Sequence, residues 1–121
     1  MRGNLSVIEE LRDLPFSVKR AYWIYDVPGG EKRYGHAFKE QHEFIVALSG
    51  SFDVILNDGN EEKVYTLNRS YYGVYIPNLI WRRLENFSTN SVALILSSTA
   101  YDEKDYIEDY GEYVRYINTN G

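Results

Sequence analysis

The chain has 121 residues, with 13 Lys and Arg against 18 Asp and Glu, a net charge of −5 when both histidines are neutral. That length suits one domain spanning 1–121 with a single hydrophobic core. Its 44% hydrophobic content excludes a disordered chain, its acidic balance argues against nucleic acid, and its lack of Cys removes disulfides, thiolate nucleophiles and cysteine metal sites.

Hydrophobic patterning predicts strands over residues 5–9 and 17–27, after which Pro28-Gly29-Gly30 breaks the chain. A short polar segment, 33–38, precedes strands over 42–48 and 51–56, separated by Gly50. Asn57-Asp58-Gly59-Asn60 is the strongest hairpin signal, because Asp-Gly supplies the positive φ of a turn, and 63–67 is the expected return strand. Strands over 73–76, 80–86 and 92–98 follow, and residues 102–109 are predicted as a short C-terminal helix with an acidic first turn. Twelve Tyr, five Phe and two Trp reinforce a β-rich reading. Short strands between Gly and Asn turns predict an all-β sandwich or barrel. No apolar run approaches a membrane span and no signal-peptide core opens the chain, so a cytoplasmic protein is expected.

Imidazole chemistry has two possible addresses, His36 and His42. A lone His is often a satisfied core or surface residue. His36, however, lies between Arg33 and Lys39, cations that would attract an anionic substrate and depress the imidazole pKa. Ser49 and Ser51 lack a His–acid arrangement for nucleophilic work, and Glu9-Glu10 and Glu61-Glu62 read as solvated surface.

The spacing Gly30-x5-His36-x-Phe38-x4-Glu43-x6-Gly50 resembles the first cupin motif, with Phe38 where a metal-binding cupin has its second His. Pro77-x-Leu79-x2-Arg82-x3-Asn86 is similar to the end of the second motif, P-x-G-x2-H-x3-N, with Arg82 in place of the last His. The resemblance implies an RmlC-like jelly-roll, a small antiparallel cupin barrel. Its usual three-His, one-Glu metal set is reduced here to His36 and Glu43, so no metal or other cofactor is expected.

A narrower resemblance covers nearly the whole chain. Arg2-Gly3-Asn4-Leu5, Arg33-x-Gly35-His36-Ala37-x-Lys39, Leu48-Ser49-Gly50-Ser51-Phe52, Tyr71-Tyr72-Gly73, Glu85-Asn86-Phe87-Ser88 and Tyr101-Asp102-Glu103-x-Asp105-Tyr106-Ile107 resemble the TDP-4-keto-6-deoxyhexose 3,4-ketoisomerases, small cupins also called WxcM-like. The resemblance implies metal-free transfer of a keto group between C4 and C3 of a TDP-linked sugar, on the way to 3-amino-3,6-dideoxyhexoses. It also implies a homodimer, which the Tyr-rich segments 22–25 and 113–116, both read as strands, support through their apolar area. The family pattern R-G-x-H-A-H-K loses its second His to Phe38. His36 is the expected base, and Arg33, Lys39, Arg82 and Arg2 are the expected cations for the substrate. Strand alternation puts His36 and Phe38 on one inward face. With one imidazole gone, either a single imidazole suffices or a tyrosine or a water helps. A non-catalytic sugar-nucleotide-binding cupin and a 3,5-epimerase-like cupin are the alternatives.

Overall fold

The computed structural model describes residues 14–25, 27, 33–70 and 72–120, so the strand expected at 5–9 lies outside the described residues. The elements are β1 (Arg20–Tyr25), β2 (Arg33–Phe38), β3 (Glu43–Ser49), β4 (Phe52–Asn57), β5 (Glu62–Leu67), β6 (Gly73–Ile76), β7 (Trp81–Glu85), β8 (Val92–Ser97), β9 (Tyr106–Ile107) and α1 (Tyr110–Asn120). One sheet runs β1-β8-β3-β6 and the other β5-β4-β7-β2-β9, with antiparallel pairing in both. Interleaving of early and late strands in both sheets is the double Greek key of a jelly-roll, as the cupin reading expects.

Alternation explains why the sheets close on each other. Ile45, Ala47, Ile76, Ala93 and Ile95 from the first sheet meet Val54, Phe52, Leu67 and Leu84 from the second, with Phe87 beside them. The β4–β5 hairpin turns through Gly59 at φ 91°, and the Asp58 carboxylate accepts from the backbone N–H groups of Asn60 and Glu61, both at 2.9 Å. Those two donors hold the Asp58 carboxyl below its usual range.

The helix expectation needs correcting. Residues 102–109 form one 3-10 turn, Glu103–Asp105, capped by Asp102, followed by β9. The helix is α1 instead, and it contains residues 113–116, which patterning assigned to a strand. Aromatic and β-branched side chains there favour strands only weakly, and tertiary packing overrides them. Tyr113, Val114, Tyr116 and Ile117 make a stripe at helical spacing that packs on Ala37, Trp81 and Ile107, the outer face of the second sheet. Asp109 starts the helix by accepting from Glu112 N at 2.9 Å. Among the described residues no helix is long and apolar enough to cross a membrane.

Candidate active site

Strand β2 divides its side chains between two layers. Ala37 is buried among Trp81, Ile107 and Tyr113 beneath α1, and a Cβ on Gly35 would overlap the Trp81 indole. His36 and Phe38 therefore face the opposite way, into the barrel, with ring centroids 5.0 Å apart and edge to face. Across the β2–β7 pair His36 stands opposite Arg82, after a register shift between Arg33 and His36.

Arg82 is 1% exposed, and its guanidinium lies 4.9 Å over the Phe38 ring. Its Nη1 donates to Glu43 Oε1 at 2.7 Å, while Nε and Nη2 donate to the Ile80 carbonyl at 3.3 and 2.9 Å. Burial pulls the guanidinium pKa down and the Glu43 charge opposes that, so the group stays cationic. Glu43 is equally buried. Its Oε2 accepts from the Tyr22 hydroxyl and from Gln41 Nε2, each at 2.8 Å, and from Ser97 Oγ at 3.4 Å. Burial and the neighbouring carboxylate push the Tyr22 phenol far above its ordinary value, so its proton stays on oxygen.

One end of the barrel interior is thus apolar and the other a connected polar network. Gln41 extends the network, because its Oε1 accepts from Thr99 Oγ1 at 2.7 Å and from Arg20 Nη2 at 3.4 Å. Tyr106 borders it: the residue pairs directly with Phe38 across β2–β9, so both share the inward face, with rings 4.6 Å apart. The Tyr106 ring is also 5.5 Å from that of His36. The Asp105 carboxylate fixes the approach of this strand by accepting from Glu40 N at 2.8 Å and Gln41 N at 3.0 Å. It does not serve a helix start, as the acidic run suggested.

The structure brings together His36, Phe38, Glu43 and Arg82, as the spacing predicts. Lys39 is elsewhere, its ammonium 5.5 Å over the Tyr116 ring of α1. Arg33 pairs by backbone with Leu84, and Arg2 lies outside the described residues. His42 is on another surface, bonded through Nδ1 to the Tyr75 hydroxyl and packed near Phe16. For a metal, the donor set is poor: Phe38 and Arg82 offer no lone pair, and both Glu43 oxygens are already engaged. Sequence reasoning missed Tyr22, Gln41, Ser97 and Tyr106. Period-two alternation in β1 could have found Tyr22; the helical reading of 102–109 hid the inward face of Tyr106.

A jelly-roll that sets an inward imidazole across β2–β7 from a buried Arg–Glu pair has the architecture of a small cupin. The chain belongs to the family described as FdtA, WxcM-like, C-terminal, whose model matches residues 1–118. It is 42% identical over 116 residues to the TDP-4-oxo-6-deoxy-alpha-D-glucose-3,4-oxoisomerase of Aneurinibacillus thermoaerophilus, covering 96% of this chain and 84% of that one. It is similar to the crystal structure of a 3,4-ketoisomerase from Helicobacter canadensis, at TM-score 0.90 and 39% identity, over 93% of this chain and 84% of the other. QdtA, a sugar 3,4-ketoisomerase from Thermoanaerobacterium thermosaccharolyticum in complex with TDP, superposes at TM-score 0.93 and 38% identity, covering 97% and 85%.

Proposed function

We propose that this chain is a metal-independent isomerase that moves the keto group between C4 and C3 of a TDP-linked 4-keto-6-deoxyhexose. The observation that carries the reading is His36, held inward beside a buried Arg82–Glu43 pair in a fold shared with named 3,4-ketoisomerases. His36 is the base at C3, which the C4 carbonyl acidifies, and imidazole has the right pKa range for that work. Arg82 is already paired with Glu43, so we assign it to the sugar end, where its fixed charge stabilises the enediolate without reorganising. The diphosphate we assign to Arg2 and Arg33, since Lys39 sits over Tyr116 on the α1 side. The product is a 3-keto sugar, a substrate for a transamination at C3. We further propose a homodimer and a cytoplasmic location, the latter on the cysteine-free composition.

Incubation with TDP-4-keto-6-deoxyglucose in deuterated water tests the reading. We expect deuterium at C4 of a 3-keto product, with loss of about 10²–10⁴ in rate for His36→Asn at unchanged melting temperature. Deuterium at C3 and C5 without keto migration would instead make the protein an epimerase. Binding with no exchange would make it a non-catalytic binder.

A further inference from the structure

The direction of the Arg82 guanidinium is set by two anchors. Glu43 Oε1 holds Nη1 at 2.7 Å from one side, and the Ile80 carbonyl takes Nε and Nη2 at 3.3 and 2.9 Å from the other. The carboxylate is itself fixed by Tyr22 and Gln41. A backbone carbonyl is only as well placed as the turn that carries it. This one follows Leu79, whose φ of 64° lies in the left-handed region that favours glycine. A bulky residue in so sparsely populated a conformation relaxes unless its surroundings over-determine it.

The surroundings do so from two sides. Leu79 N–H donates to the Phe38 carbonyl at 2.8 Å and Asn78 Nδ2 to the Lys39 carbonyl at 2.9 Å, which ties the turn to the end of β2. The other side lies outside the barrel. The Tyr113 hydroxyl of α1 donates to the Leu79 carbonyl at 2.9 Å and to the Asn57 carbonyl at 3.1 Å, sharing one proton between them. Asn57 stands opposite Trp81 in the β4–β7 pair, so one hydroxyl grips both the turn before Arg82 and the strand beside it. The Tyr113 ring packs on Trp81 and Ala37, and a phenylalanine would pack there as well. What the oxygen adds is the bond to those two carbonyls.

Resting on the ketoisomerase reading, we propose that Tyr113 is a positioning residue for the reaction, acting from outside the barrel by holding the turn whose Ile80 carbonyl aims Arg82. The hydroxyl keeps the Leu79–Ile80 peptide from turning over, and the Ile80 carbonyl stays pointed at the guanidinium. The guanidinium then keeps one orientation on the strand position opposite His36, where charge develops on the sugar oxygens. With Glu43 as its sole anchor it would pivot about a single bond. The C-terminal helix, remote from the substrate, thereby sets the geometry of the site.

The test compares kcat on TDP-4-keto-6-deoxyglucose with the Kd of TDP, which lacks the sugar, and with the melting temperature. Tyr113→Phe should lower kcat by about tenfold or more while the Kd of TDP stays within about threefold of wild type. Ile117→Ala thins the same helical stripe beside Gly59, away from the turn, so it should melt earlier yet keep kcat within about threefold. Adding Leu79→Gly to Tyr113→Phe should raise kcat again by at least about threefold, because glycine accepts this φ without a clamp. The Arg82 Nε–H resonance in a nitrogen-15 spectrum should shift in Tyr113→Phe and not in Ile117→Ala. A kcat within about threefold of wild type in Tyr113→Phe, an equal loss in Ile117→Ala, no rescue by Leu79→Gly or an unmoved Arg82 resonance would overturn the positioning role. A wild type that forms no 3-keto product, with the resonance moving as expected, overturns the ketoisomerase reading instead. If Tyr113→Phe does not fold, Asn78→Ala frees the same turn from the β2 side and should show the same split between kcat and TDP binding. An unchanged kcat there overturns the proposal.

Discussion

Glu43 and Arg82 form a pair whose members depend on each other more than the fold depends on the pair. Removing one partner strands the other charge in the interior, which costs about 3–5 kcal/mol, whereas an apolar pair of similar volume can be neutral. We expect Glu43→Leu and Arg82→Met each to lose stability on that scale in urea unfolding. The double variant should be more stable than either single one; strict additivity of the two losses would contradict the coupling. Tyr22 gives a second residue-scale prediction. Its folded pKa is raised above the unfolded value near 10, so its contribution is intact below about pH 10 and declines as pH rises further. Stability of the wild type should fall more steeply above pH 10 than that of Tyr22→Phe, by about 1.4 kcal/mol per pH unit. Equal alkaline slopes would show that the Tyr22 proton is not held.

At the scale of elements, α1 locks the outer face through Tyr113, which is fully buried and donates its hydroxyl to the carbonyls of Asn57 at 3.1 Å and Leu79 at 2.9 Å. Tyr113→Ala opens a cavity over Trp81 and should cost about 3–5 kcal/mol by chemical denaturation; a loss below 1 kcal/mol would mean that α1 is dispensable. The strands were legible because alternation and Gly or Asn turns are local signals, and β6 falls where patterning puts it. The helix was not, because residues 113–117 carry strand-prone side chains that only the Trp81 surface converts to a helical stripe. His36, Glu43 and Arg82 could be read from spacing, whereas the bonds of Tyr22 and Ser97 to Glu43 join strands distant in sequence. Leu79 illustrates a motif position read without its geometry. It occupies the glycine of P-x-G at φ 64°, a left-handed backbone held by the Phe38 carbonyl, which accepts from its N–H at 2.8 Å.

For the molecule as a whole, surface matters most at β1, an edge strand among the described residues, with Trp23 53% and Tyr25 64% exposed beside Val92. An aromatic edge of that kind needs a cover. We expect the protein to sediment as two chains at micromolar concentration and Trp23→Glu with Tyr25→Glu to sediment as one; a monomeric wild type would refute the dimer. The alternation of β2 reaches further, into how such a protein can change over time. Gly35 abuts the Trp81 indole and Ala37 is enclosed by Ile107 and Tyr113, so neither has space for a larger neighbour. His36 is fixed by the reaction proposed for it. Position 38 borders the rings of His36 and Tyr106 and the Arg82 guanidinium, partners that favour a flat aromatic side chain. Within residues 35–38 variation is therefore channelled to position 38, where one aromatic side chain can replace another while the surrounding shell keeps its shape.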